Sequence, residues 1–333
     1  MEKTKVAIIG LGGIAQLVHL PYLSKFNNVE LSAVAEPNKN RLNTLADKFG
    51  VKEKYKDHTE LLAGSNAGTI IVATPTSTHR DVAIACLKAG KDILVEKPLA
   101  RTLQEAKQIA DAAKKYKKKA MVGMNLRYRP DAMILKSLIS SGEIGQPFYI
   151  KSGWLRRQSS NQKWFTKKED SGGGVILDLS ILLLDLSLWL LDFPPVESVS
   201  SQNFYHNTKT IEDTSVSFLK CKNSSIVNIE SSWSIASQKD SFYFNVFGTK
   251  GWASLNPFNV FKRIDEHEID LTPSQTESSL SLFKKSYMNE LKSFIGAVNG
   301  LNPVFSSAEE SLSRMKVIEA MYKSSDNNKE IKL

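Results

Sequence analysis

The sequence predicts two domains of different fold class. Residues 1–123 form an α/β domain on a parallel sheet, and residues 124–333 form an α+β domain with a large, mainly antiparallel open sheet. Three observations lead there. Strand-like and helix-like runs alternate with short connections up to residue 123, and such crossovers cover both faces of a parallel sheet. Beyond residue 124 several β-rich runs succeed one another with no helix between them, the mark of antiparallel pairing. The length of 333 residues suits two domains of about 100–200 residues each.

The first domain opens on the apolar strand Lys5–Ile9. A helical pattern follows over Gly13–Leu23, then a strand at Leu31–Ala35 and a helix at Asn38–Phe49. Short apolar runs at Thr69–Ala73, Ile93–Glu96 and Ala120–Val122 continue the sheet. Between them, Thr78–Ala89 and Thr102–Tyr116 carry apolar residues at helical spacing. In the second domain Asp131–Ser141 reads as helix and Phe148–Leu155 as strand. A glycine cluster precedes the long apolar helix Val175–Leu191. The runs Val196–Tyr205, Thr214–Leu219, Ser225–Trp233, Phe242–Phe247 and Trp252–Leu255 read as strands, and Tyr287–Val298 and Ala308–Tyr322 as closing helices. The last helix, 308–324, is expected to pack back toward the first domain. Asn299–Pro303 is a turn, and the sequence shows no internal repeat or low-complexity linker.

Composition narrows the function. With 41% hydrophobic and 24% charged residues the chain can bury a core. Its net charge of +9 is diffuse: the one dense basic run, residues 114–119, reads as the solvated end of a helix, so no nucleic-acid partner is expected. Cys86 and Cys221 lie far apart with no metal or disulfide spacing, which fits a reducing, cytoplasmic setting. The N-terminus shows no signal-peptide pattern. Val175–Phe193 is long enough to span a membrane but carries Asp178, Asp185 and Asp192 near one helical face, so it is expected to be a buried helix with a polar edge, with no membrane partner. No metal site is expected.

Gly10-Leu11-Gly12-Gly13-Ile14-Ala15 fits G-x-G-x-x-A and directly follows the first strand. Gly10 permits the tight turn, Gly12 lets a pyrophosphate approach the backbone, and Ala15 lets the helix lie close to the sheet. The helix N-terminus offers N–H donors to phosphates. The alternative is a glycine turn with no ligand. Glu36 ends the second strand 21 residues after Ala15. A carboxylate there accepts hydrogen bonds from both adenosine ribose hydroxyls and repels a 2′-phosphate, which favours NAD over NADP. Asn38, Lys39 and Arg41 lie close enough to tolerate the phosphate, so NADP stays open. Thr74-Pro75-Thr76-Ser77-Thr78-His79 lies past the strand Thr69–Ala73, at the carboxyl edge where open α/β sheets bind ligands; Ser77 or Thr78 could equally cap a helix. Glu96-Lys97-Pro98 ends the strand at Ile93–Val95. A lysine there points into the crevice, and beside a nicotinamide it would favour the alkoxide-like form of a substrate hydroxyl as hydride leaves. An isolated lysine is otherwise a surface residue.

These motifs, with Ser171-Gly172-Gly173-Gly174 and Asp178, occur in the order typical of the glucose–fructose oxidoreductase/inositol dehydrogenase (Gfo/Idh/MocA) family, which the sequence resembles over nearly its whole length. Ala308–Ser324 looks like that family's last helix. The resemblance implies an N-terminal Rossmann domain and a C-terminal α+β domain. The second domain's open sheet would carry substrate contacts and often a subunit interface, hence a homodimer or homotetramer. It also implies NAD(P)-dependent oxidation or reduction of a secondary alcohol or ketone in a sugar, polyol or nucleotide sugar. Cofactor contacts are expected from Gly10, Gly12, Gly13, Ile14, Ala15, Glu36, Asn38, Thr74, Pro75, His79, Glu96 and Asn125. Lys97 falls on the family's active-site lysine, and Asp178 on the carboxylate after its glycine-rich loop.

One position departs from that pattern. The family has a histidine four residues after the aspartate, in many members the proton-transfer group. Here Leu182 stands there, on the helical face of Asp178. Leucine moves no proton, and general acid–base help is worth about 10²–10⁴-fold. Three replacements are open: Lys97 as a base with its pKa lowered by burial, Asp178 through a water, or Tyr128 reaching in from the start of the second domain. One alternative function is a catalytically silent NAD(H)-binding regulator. Another is a reductase of a non-sugar acceptor, as in biliverdin-reductase-like or dihydrodiol-dehydrogenase-like relatives. Arg127, Trp154, Arg156 and Arg157 lie where the second domain should face the crevice. Two arginines beside a tryptophan suit an anionic group, or else mark a solvated strand edge. Trp164 and Phe165 either line the nicotinamide pocket or simply pack, and His19 reads as a helix-end residue. The expected enzyme holds NAD across the Rossmann crevice. Substrate sits between that crevice and the second sheet, contacted by Lys97, Arg127, Tyr128, Trp154, Arg156 and Asp178.

Overall fold

Six short strands build one parallel sheet in the computed structural model, which describes residues 2–158, 163–274 and 277–333. They are β1 (Thr4–Ile9), β2 (Val29–Ala35), β3 (Glu53–Tyr55), β4 (Thr69–Val72), β5 (Asp92–Val95) and β6 (Ala120–Val122). Their order, β3-β2-β1-β4-β5-β6, is that of a doubly wound dinucleotide-binding sheet. β4 is buried at every residue, as a strand covered by helices on both faces must be, so its sequence runs apolar without alternation. Ile9 pairs with Ala35 on one side and Val72 on the other. The carboxyl ends of β1, β2 and β4 are therefore level, and the crevice opens between β1 and β4, where the strand order reverses.

The flanking helices start on local signals. Asn38, Asp57 and Thr102 each accept a hydrogen bond from the backbone N–H three residues on and cap the helices Lys39–Phe49, His58–Gly64 and Leu103–Tyr116. The helix Thr76–Lys88 differs: its N-cap is Pro75, with no side-chain cap, rather than Ser77 or Thr78. The Thr78 hydroxyl instead donates to the Pro75 carbonyl and to Thr74 Oγ1. β3 and the helix His58–Gly64 escape a periodicity reading because each is short, three and seven residues.

The chain divides into two compact units, residues 1–124 with 287–313 and residues 125–286 with 314–333. The last helix, Ala308–Asn327, divides: its residues 308–313 group with the first unit, the placement expected for the whole helix. From Arg314 onward it belongs to the second unit, where the Arg314 guanidinium lies 3.0 Å from Asp185 and Tyr322 Oη donates to Glu212 at 2.9 Å.

The second unit holds a nine-stranded sheet of β7 (Pro147–Leu155), β8 (Val196–Phe204), β9 (Thr214–Cys221), β10 (Ile226–Ser232), β11 (Ser241–Gly248), β12 (Gly251–Leu255), β13 (Asn259–Ile264), β14 (His267–Asp270) and β15 (Ile331–Lys332). Its order is β14-β13-β12-β11-β7-β10-β9-β8-β15. Pairing is antiparallel except between β7 and β10. β13 and β14 were not legible: β14 is exposed throughout and charged, an edge strand without an apolar face. One sheet face is the core. Leu219, Val227, Ile150, Val246, Ala253 and Val260 sit side by side across six strands, all fully buried.

Against that face packs the apolar helix. It begins with a π-turn, Ile176–Ser180, and continues as Ile181–Leu190. By length and composition alone Lys168–Leu190 could cross a membrane. It is instead a core helix: from Gly173 to Leu190 only Asp178 and Trp189 escape burial. Its acidic residues divide as their burial requires. Asp185, fully buried, is held by Arg127 Nε at 2.6 Å and by Arg314 Nη1 at 3.0 Å, while exposed Asp192 meets Lys136. Leaving either guanidinium buried without this carboxylate would cost about 3–5 kcal/mol.

Candidate active site

In the first unit the glycine-rich turn follows β1 and leads straight into a helix that itself begins with a π-turn, Ala15–His19. Gly10 has φ +91°, and a Cβ there would stand 2.6 Å from the Ala73 carbonyl oxygen, so only glycine fits. At Gly12 and Gly13 nothing lies within 4 Å of where a Cβ would stand. The open space above these two residues is the cradle a pyrophosphate needs, and the residues present fit NAD. Glu36 is aimed at the same turn. Its Oε2 accepts the Leu11 N–H at 3.0 Å, and Oε1 accepts the Asn38 N–H at 3.0 Å, with Arg41 Nη1 3.4 Å away. The carboxylate is only 5% exposed yet fixed at the edge of the crevice. Asn38 is thus a helix cap that braces Glu36.

A second cluster joins the turns after β4 and β5. Glu96 is buried, and its Oε1 lies 2.8 Å from His19 Nε2. Burial alone would raise this carboxyl. The His19 hydrogen bond and the charges of His19, Lys97 and His79 outweigh it and hold the carboxyl below its ordinary value. Gly123 has no side chain to crowd Glu96; a Cβ there would come within 3.3 Å of Oε2. Lys97 follows at the end of β5 and stays partly exposed. His79 lies on the helix after β4, fully buried, with Nδ1 2.9 Å from the Pro98 carbonyl and Nε2 2.9 Å from the Thr74 carbonyl. Carbonyls only accept, so both contacts draw a proton onto the ring, but burial is the larger effect and lowers its pKa. The imidazole stands between the Thr74-Pro75 turn and the Glu96-Lys97-Pro98 turn, and one N–H can donate to either carbonyl.

In the second unit Asp178 sits in the π-turn, half-buried. Trp233 Nε1 donates to its Oδ2 at 3.1 Å. Trp233 packs in an apolar cluster with Val175, Leu179 and Ile211, joined by Trp154 and Phe165. The turn preceding Asp178 is pinned by Glu212. This buried carboxyl accepts the N–H groups of Gly174 and Ile176, each at 2.9 Å, and the Tyr322 hydroxyl. Desolvation raises the Glu212 pKa despite these donors. A Cβ on Gly174 would overlap the Glu212 carbonyl oxygen, and one on Gly173 the Tyr322 hydroxyl, so the turn closes only with glycines.

The remaining candidates fall in quieter places. Arg127 is buried in a bidentate pair with Asp185, under Phe193, and acts as a core residue. Tyr128 is buried at 7% exposure, and Asn125 Nδ2 donates to Ser286. Arg156 and Arg157 stay partly exposed and share Asp240 at 3.6 and 3.9 Å. Trp164 and Phe165 meet edge to face. Leu182 is buried at 4% exposure. The sequence reading missed three residues: His19, paired with Glu96, Trp233 on Asp178, and Glu212 on the glycine-rich turn. Each acts across 36 or more residues of chain, and no local pattern signals such a partner. Among the described residues no group of three or more His, Cys, Asp or Glu side chains is placed to hold a metal.

A doubly wound sheet with an open glycine turn at its switch point, followed by an α+β unit, is the build of a two-domain NAD-dependent oxidoreductase. Comparison with known proteins agrees. Residues 4–124 match the family model described as "Oxidoreductase family, NAD-binding Rossmann fold", and residues 136–333 match "Oxidoreductase family, C-terminal alpha/beta domain". The chain belongs to the Gfo/Idh/MocA oxidoreductase family. It is 26% identical to the D-glucoside 3-dehydrogenase of Escherichia coli K12 over 99% of its own length and 97% of that protein. It is 32% identical to the glucose-6-phosphate 3-dehydrogenase of Bacillus subtilis over 78% and 77%. Levoglucosan dehydrogenase in complex with NADH shares the fold at TM-score 0.89 and 20% identity, over 99% of both chains. The expected oxidoreductase class, NAD cofactor and two-part fold are borne out.

Proposed function

We propose that the protein transfers a hydride between NAD(H) and a secondary alcohol, or the matching ketone, of a sugar or polyol, nucleotide sugars included. The observation that carries this reading is the Glu96-Lys97-Pro98 turn. A lysine stands at the carboxyl end of β5, beside a carboxylate that His19 and burial hold in place. The family supports the chemistry, and relatives named for oxidation at sugar position 3 or, like the Thermotoga maritima myo-inositol 2-dehydrogenase, of inositol support the substrate class.

NAD, when bound, supplies the hydride acceptor or donor. Gly10, Gly12, Gly13, Ile14 and Ala15 hold its pyrophosphate, Glu36 its adenosine ribose, and Thr74 and Pro75 border the crevice. His79 and Glu96 serve by holding the two turns rather than by touching the cofactor. Lys97 donates to the reacting oxygen and stabilises its alkoxide-like form. Asp178 accepts from the substrate and relays the proton that Leu182 cannot carry. Trp154 offers an aromatic face, and Arg156 a donor, to the rest of the substrate. The buried thiols of Cys86 and Cys221 suit a cytoplasmic setting. The coenzyme preference is tested by fluorescence titration. Glu36 predicts NADH binding at least about tenfold tighter than NADPH, with the ratio collapsing in Glu36→Ala; tighter NADPH binding by the wild type contradicts the assignment.

A further inference from the structure

We propose that Trp233 is a positioning residue for Asp178: its indole N–H fixes the carboxylate in the orientation from which Asp178 meets the substrate. This rests on the reading that Asp178 takes part in the reaction.

The geometry is specific. Trp233 stands one residue past β10, and its backbone N–H donates to the Asp213 carbonyl at 2.7 Å, so its Cα has little freedom. The side chain is 3% exposed. Phe165 lies against it at 5.3 Å between ring centroids. Val175 and Leu179, the residues three before and one after Asp178, belong to the same cluster. The ring is thus locked by packing while its one polar atom faces Asp178 Oδ2 at 3.1 Å.

On the helix itself nothing polar could take over this role from the next turn, because Leu182 follows four residues after Asp178 and is buried. The chemistry of the donor matters. An indole N–H donates and neither accepts nor titrates near neutral pH. Trp233 can therefore orient the carboxylate without exchanging a proton with it, and the proton from substrate stays on Asp178 or moves on to solvent. A displacement of about 1 Å at a reacting group can cost about 10²-fold, so the orientation of this carboxylate matters.

The test uses the full chain saturated with NADH and labelled with ¹⁵N. Its five tryptophans give five indole N–H signals, and the one lost in Trp233→Phe identifies Trp233. In Asp178→Asn that signal should move while the other four stay in place. Steady-state rates on a panel of glucosides and inositols complete the test. Trp233→Phe should lower kcat/KM by between about ten- and a hundredfold with NADH affinity unchanged, and the double variant with Asp178→Asn should be no worse than Asp178→Asn alone. If none of the five indole signals moves in Asp178→Asn, the proposal is overturned even where Trp233→Phe fails to fold. Unchanged kcat/KM in Trp233→Phe, with activity lost in Asp178→Asn, overturns the positioning role and leaves the assignment of Asp178 standing. Unchanged kcat/KM in Asp178→Asn overturns that assignment, and the positioning role with it.

Discussion

Gly10 and Gly12 lie two residues apart and require glycine for opposite reasons. Gly10 has a left-handed φ and the Ala73 carbonyl where a Cβ would go, whereas Gly12 has empty space. Gly10→Val should therefore unfold or strongly destabilise the first unit, by about 1–3 kcal/mol from backbone strain before the clash is added. Gly12→Val should melt at nearly the wild-type temperature and yet lose NADH affinity by more than about tenfold, ~1.4 kcal/mol. Paired melting curves and NADH titrations separate the two. Both glycines were legible in the sequence because a turn motif is local. Roles set by distant partners were not. His79 reads as a cofactor ligand in its motif, but the structure gives both of its nitrogens to backbone carbonyls. Arg127 reads as a substrate contact, but 58 residues on Asp185 claims its guanidinium.

At the scale of elements, both glycine-rich turns run directly into π-turns, Ala15–His19 and Ile176–Ser180. Such widened turns occur often at functional sites, and neither disturbs the apolar spacing enough to be read from sequence. Most strands with one buried face were legible by alternation; β14, an exposed and charged edge strand, and β13 beside it, whose apolar start gives way to Lys262 and Arg263, were not. The second turn depends on Glu212, and this has a pH signature. Burial raises the Glu212 carboxyl above its ordinary 4.5, so the folded chain binds this proton more tightly than the unfolded chain. The resulting stability is full below pH 4.5 and is lost as pH rises through the folded value. Glu212→Gln keeps an oxygen for the Gly174 and Ile176 N–H groups and removes the titration. Its melting temperature should match wild type near pH 4 and exceed it at pH 8. Parallel pH profiles for the two proteins would contradict this account.

At the scale of the molecule, the outer face of the nine-stranded sheet sets Ile226, Tyr149, Phe247, Trp252 and Phe261 side by side, with Tyr149 stacked on Phe247 and Trp252 on Phe261. A row of aromatic side chains on an open sheet is surface that association would bury. The expected homodimer or homotetramer should scatter light as a multiple of 37.1 kDa, and Trp252→Glu should shift it toward the monomer. A wild-type monomer would remove the sheet from any assembly. The fold class of each half was readable because each follows one periodicity. The division of the last helix was not, since it depends on Arg314 and Tyr322 finding Asp185 and Glu212. This chain, with leucine at position 182, is proposed to move a hydride using Lys97. Absorbance at 340 nm decides this, with NAD and a panel of glucosides, inositols and nucleotide sugars, and NADH with the matching ketones. Turnover is expected, lowered by about 10²–10⁴-fold in Lys97→Met while NADH affinity stays within about twofold. Turnover that survives intact in Lys97→Met, or none across the panel in protein that binds NADH tightly, would contradict it.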